Sequence, residues 1–227
     1  MNIDLELGGI SRPMLRLPEA LNLAPTGARL WATWLDRTPG FSGRIDYIHK
    51  CNIPSLFAIS FAGGTPKYRG HKWYPSRLEV EYSLNAVEVL ETKFITWDDV
   101  AVSVLEVHGG SLGRLGNATV SSDLDGRSLD LQSGRASFAV ASRGGPGPTG
   151  NRVIVAACAV ADEPETAHRR AQEWASDPDP AARHQREYAS WFAEVPTFHC
   201  SDPWINRMWA YRWFLLRRNL ADPRRDN

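Results

Sequence analysis

The chain has 227 residues, zero formal net charge and 43% hydrophobic residues, the make-up of an ordinary globular protein of one or two domains. Its 26 basic residues are balanced by 26 acidic ones, which excludes a general basic field for nucleic acid. No apolar run approaches about 18 residues, which excludes a helical membrane span.

Residues 1 to about 160 read as strands. Ala28 to Leu35 and Leu56 to Phe61 are the first candidates, and Gly63-Gly64 ends the second of them. Leu78, Val80, Tyr82 and Leu84 then alternate with polar neighbours, the period-2 pattern of a half-buried strand. Asn85-Ala86 turns the chain, Val87 and Val89 resume the alternation, and Phe94 and Ile95 carry it toward Trp97. After a turn at Asp98-Asp99, Val100, Val102 and Val104 alternate until Gly109-Gly110. This pattern predicts an antiparallel meander over 76–108. Ala136 to Ala141 and Arg152 to Val160 complete the strand set, with turns at Asp125-Gly126 and in the glycine–proline loop 144–148. Many short strands with turns between them predict a large antiparallel β-sandwich. No helix-period segment is apparent before 160.

The texture changes after Asp162. Glu165 to Ala175 predicts a helix with acid at its start, matching the helix dipole. Asp177-Pro178-Asp179-Pro180 breaks it, and Pro180 opens a second helix running to about Ala193. Asp202-Pro203 reads as an N-cap with proline at N1, opening a helix to Leu220. That last helix has no polar face. Trp204, Ile205, Met208, Trp209, Tyr211, Trp213, Phe214, Leu215 and Leu216 cover the whole cylinder, and such a helix needs other helices around it. Only a short polar tail comes after it, so the sequence reads as stopping early. The predicted organisation is a β-sandwich over 1–161, a helical linker over 162–197, and over 198–227 the start of a truncated helical domain.

Plain core packing accounts for most of these rings. Arg212 is the odd member, because a guanidinium inside an apolar helix requires a carboxylate or an aromatic face, and Met208 and Leu216 occupy the positions one turn away. The acid pairs Asp98/Asp99, Glu163/Glu165 and Asp177/Asp179 sit at turns or helix starts, where acids serve structure. The six histidines show no metal-ligand spacing, and neither a nucleophile elbow nor a phosphate loop is present. The sequence therefore offers no catalytic residue, no metal site and no cofactor site. The N-terminus lacks a signal-peptide layout, and Cys51, Cys158 and Cys200 read as reduced thiols, which together predict a cytoplasmic protein.

The segment Trp191-Phe192…Val195-Pro196…Phe198…Cys200-Ser201-Asp202-Pro203…Met208-Trp209…Tyr211-Arg212-Trp213…Leu216…Arg218-Asn219 resembles the start of the catalytic domain in (α/α)6-barrel glycosidases. The similarity is to the trehalase-like and glucosidase-like group that includes bacterial mannosylglycerate hydrolases and processing α-glucosidases. Members often place a large β-sandwich before the barrel, joined by a helical linker, and Glu91 to Val102 looks like a strand-turn-strand of such a sandwich. The resemblance implies an N-terminal portion of a glycoside hydrolase acting on α-linked sugars with inversion, inactive without the barrel that carries the acid and base. It implies a carbohydrate partner, and a substrate-binding rim role for Tyr211, Arg212 and Trp213. On this reading the exposed helix 203–220 promotes self-association.

A second reading is a self-contained carbohydrate-binding or protein-interaction β-sandwich module, with the helices folded back onto the sheets. Trp31, Trp34, Trp73 and Tyr74 are then candidate stacking residues, against a simpler reading as strand core. Regular alternation points Trp31 and Trp34 to opposite faces, so only one of them could join an exposed platform. The helix at 203–220 separates the readings: a module covers it, and a fragment leaves it exposed.

Overall fold

The computed structural model describes residues 1–9, 20–22, 25–48, 51–108, 117–131, 134–146 and 152–220. The turn expected at Gly109-Gly110, the end of the 144–148 loop and the polar tail after Leu220 lie outside the described residues. A short helix, α1 (Ile3–Leu7), precedes the strands β1 (Ala20–Asn22), β2 (Leu30–Asp36), β3 (Gly40–Tyr47), β4 (Cys51–Phe61), β5 (Lys67–Tyr74) and β6 (Arg77–Leu84). Then come β7 (Val87–Ile95), β8 (Val100–His108), β9 (Ala118–Ser121), β10 (Ser128–Leu131), β11 (Gly134–Pro146) and β12 (Arg152–Ala161). Three helices close the chain: α2 (Pro164–Ser176), α3 (Pro180–Ala193) and α4 (Pro203–Asn219).

The strands form two antiparallel sheets, one of five strands in the order β1-β2-β3-β4-β9 and one of seven in the order β10-β11-β12-β8-β7-β6-β5. The sandwich is thus as the alternation predicts, and the 76–108 meander is β6-β7-β8. Its first turn works because Asn85 and Ala86 both hold positive φ, 52° and 63°, the geometry that matches a two-residue hairpin to the strand twist. Between the sheets lies one core that joins Leu30, Phe41, Ile45 and Phe57 to Val80, Tyr82, Leu105 and Phe138. A second core lies on the outer side of the seven-stranded sheet. There α2 lays Ala167, Ala171, Trp174 and Ala175 against Phe94, Val102, Val155 and Ala157. With both faces covered, β12 is buried from Val153 to Ala161 and reads as a continuous apolar run rather than an alternation.

Two expectations are corrected. α1 precedes the strands although no helix period is visible there. A single turn is too short for a period, and Asn2 caps it by accepting from Leu5 N. Trp31 and Trp34 share one face. A bulge between Ala32 and Trp34 restores the inward position at Leu35, so Leu30, Ala32 and Leu35 are all buried while both tryptophans turn outward, paired with Asp46 and Arg44.

Asp99 ties the sheets together. It holds φ at 65° in the β7–β8 turn, is fully buried, and accepts from Arg29 N at 2.7 Å and Leu30 N at 2.9 Å. Gly27 is required beside it, since a Cβ there would lie 2.6 Å from Thr96 O and 2.7 Å from the Asp99 carboxylate. Among the described residues no helix is long and apolar enough to cross a membrane.

Candidate functional site

The C-terminal helix is the feature that the sandwich does not absorb. Asp202 caps it by accepting from Trp204 N at 2.8 Å, and Pro203 sits in its first turn. One side is buried: Ala210 and Phe214, one turn apart, press on the sandwich, and the Phe214 ring meets Trp73 edge-on at 5.3 Å. Trp73 is therefore core, and Tyr74 is covered by the Arg77 guanidinium at 4.0 Å. The opposite side of α4 stands in solvent. Trp204 is 75% exposed, Met208 54%, Leu216 54% and Ile205 45%. Isolated exposed apolar side chains are common, but these form a contiguous strip along one helix.

A groove of about 700 Å³ runs along that strip, bounded by Phe198, Ile205, Met208, Trp209, Trp213 and Leu216. Its aromatic wall is packed ring against ring. Phe198 and Trp209 lie 5.3 Å apart, Trp209 and Trp213 meet edge-on at 6.0 Å, and Trp209 Nε1 donates to Pro196 O at 3.2 Å.

Of the three residues singled out from the sequence, Arg212 and Trp213 line this groove. Tyr211 is 42% exposed on a neighbouring surface, with its ring 6.3 Å from Phe214. Arg212 is exposed, so water solvates its charge and the buried partner expected for it is not needed.

The cation set among aromatic rings is Arg217. Its guanidinium lies 4.0 Å from the Trp97 ring, 5.6 Å from Trp191 and 5.7 Å from Tyr188. Its Nε is buried without a hydrogen-bond partner among the described residues, and burial lowers its pKa from the ordinary arginine value. Sequence reasoning misses Arg217 because a basic residue in the last turn of a helix is expected on dipole grounds alone.

Two of the three acid pairs, Asp98/Asp99 and Asp177/Asp179, have structural partners. Asp98 accepts from Thr96 and pairs with Arg170, Asp177 pairs with Arg183, and Asp179 caps α3 by accepting from Ala182 N at 3.0 Å. A buried ion pair inside the sandwich, Glu91 with Lys93 at 3.1 Å, is closed to solvent. Among the described residues no cluster of three or more His, Cys, Asp or Glu could hold a metal ion.

What the site offers is an apolar, tryptophan-walled groove with the Arg212 cation on its lining. No protein-family model matches the sequence, and no similar curated protein is found.

Proposed function

We propose that this chain is the sandwich and linker portion of an (α/α)6-barrel glycoside hydrolase acting on α-linked glucosides or related sugars, and that α4 is the first helix of its catalytic barrel. The observation that carries the reading is the solvent-facing apolar strip of α4, with Trp204, Met208 and Leu216 each more than half exposed. Such a strip is what an inner barrel helix presents to its neighbours. The order of parts supports it too: a two-sheet sandwich, two connecting helices, then an aromatic helix. On this reading the acid and base lie on the barrel, Arg212 and Trp213 stand at the rim of the sugar pocket with Tyr211 beside them, and residues 1–227 alone hydrolyse nothing.

The packing of Phe214 against Trp73 supports the alternative of a self-contained module, since it folds α4 back onto the sheet. It covers only one side of the helix, which is why the first reading is preferred.

The test is hydrolysis by the complete gene product. It is assayed on trehalose, maltose and mannosylglycerate, with the anomer of the released sugar followed by NMR. The reading predicts cleavage of an α-linked substrate with inversion, and a fall in kcat/KM of about tenfold or more for Arg212→Ala or Trp213→Ala. Absence of cleavage across α-linked substrates contradicts it.

A further inference from the structure

A second cleft, on the other side of Trp213, carries polar chemistry that the outer groove lacks. It encloses about 620 Å³ and is formed where the β7–β8 turn, the C-terminal half of α3 and α4 converge. Trp97, Trp191 and Trp213 supply apolar surface; Arg217, Glu187 and Glu194 supply charge. Trp97 is 40% exposed although the Arg217 guanidinium packs on its ring at 4.0 Å, so ring surface is left for a ligand. Arg217 has no ion pair among the described residues; its Nε is buried, and its guanidinium borders the cleft beside Trp97. Glu187 is held by Arg183 at 2.9 Å, and Glu194 is exposed at the end of α3.

This combination selects against charged ligands of either sign. A cation stacking on Trp97 would be repelled by the Arg217 guanidinium, which already lies against that ring at 4.0 Å. An anion drawn to Arg217 would sit against two carboxylates. A neutral ring with one apolar face and hydroxyls around its edge meets every group: C–H surface on Trp97, hydroxyl donors to Glu187 and Glu194, and a hydroxyl acceptor for Arg217. The volume falls within the usual range of small-ligand sites, about 300–1,000 Å³.

We propose that this cleft is a non-catalytic binding site for a neutral mono- or disaccharide, stacked on Trp97 and hydrogen-bonded by Glu194 and Arg217. The proposal stands whether or not a barrel carries hydrolytic activity, because it concerns residues of this chain alone and is read by binding.

The test titrates residues 1–227 with maltose and with methyl α-mannoside by calorimetry, and uses saturation-transfer NMR to find which sugar protons contact the protein. Saturable binding of at least one sugar is expected, with the transfer concentrated on one ring face. Trp97→Ala and Glu194→Gln should each weaken it by about tenfold. Trp34→Ala, on the other sheet, should leave it unchanged. Glu194→Gln alters an exposed side chain, so it decides the matter even if Trp97→Ala disturbs the turn. Lack of saturable binding by both sugars, or undiminished binding by both variants, overturns the proposal. Binding of choline or glucuronate in place of the sugars overturns the ligand class.

Discussion

Glu91 and Lys93 occupy successive inward positions on β7, where Val87, Val89 and Ile95 hold the others. Both are fully buried, and the structure satisfies both. Glu91 accepts from Gly40 N at 2.8 Å, Tyr82 Oη at 2.9 Å and Ser103, while Lys93 donates to Thr38 O at 2.8 Å and to Gly40 O. Desolvation lowers the Lys93 pKa and the Glu91 charge opposes that shift. Removing one partner strands the other charge, so Glu91→Gln or Lys93→Met should each cost about 3–5 kcal/mol in chemical denaturation. The double substitution Glu91→Met with Lys93→Met should cost less than the sum of its parts. The parity of Val87, Val89 and Ile95 puts positions 91 and 93 on the inward face, but Leu90 and Phe94 break the alternation and blur that signal. Their partners are not legible in the sequence, because Gly40, Thr38 and Ser103 are brought in by other strands. His184 gives a second prediction at this scale. It stacks on Phe94 at 4.4 Å and donates from Nε2 to Ser76 O at 2.9 Å. Burial pushes its pKa down to about 4, against a backbone hydrogen bond that raises it, with Arg217 and Arg77 adding to the lowering. The unfolded imidazole protonates near pH 6.5. The stability this neutral histidine confers is therefore complete above that pH and is lost as the pH falls toward 4. The loss should be about 3 kcal/mol, measured by denaturation at stepped pH. His184→Leu should remove that part of the slope.

The three C-terminal helices are legible almost to the residue, since proline opens each of them and aspartate caps α3 and α4. What each helix covers is not. α2 has a charged outer face and reads as a connector, yet its alanine stripe forms the outer cover of β8, β11 and β12. Small side chains give a weak hydrophobic signal while allowing close approach to a sheet. Ala171→Leu should therefore overpack this contact and cost about 1–3 kcal/mol, measurable in a denaturant titration. Strands β3 and β5 escape the alternation count because glycine and charged residues interrupt them, and both carry register shifts where they pair. For α4 the apolar cylinder is plain from the sequence, but not which side is covered. Phe214 is buried while Trp204 stands out, because α4 packs on α1, on Trp191 of α3 and on Trp73 of β5. Met208→Glu with Leu216→Lys should abolish binding of a hydrophobic dye to residues 1–227 and reduce self-association in sedimentation. Far-UV dichroism should not change, because neither side chain supports the fold.

At the scale of the molecule, the sandwich and α2 bury two cores completely, while α4 is finished on one side only. The proposed function supplies an occupant for the open face of α4, where Trp204, Met208 and Leu216 stand in solvent. That occupant is the remainder of a helical catalytic barrel. Hydrogen exchange across residues 203–219 tests that most directly, compared between residues 1–227 alone and the complete gene product. The helix is expected to exchange readily in the isolated chain. In the complete product its amides should become protected to the level of the sandwich strands. Equal exchange in both, with the strip around Trp204, Met208 and Leu216 still open to solvent, would contradict it.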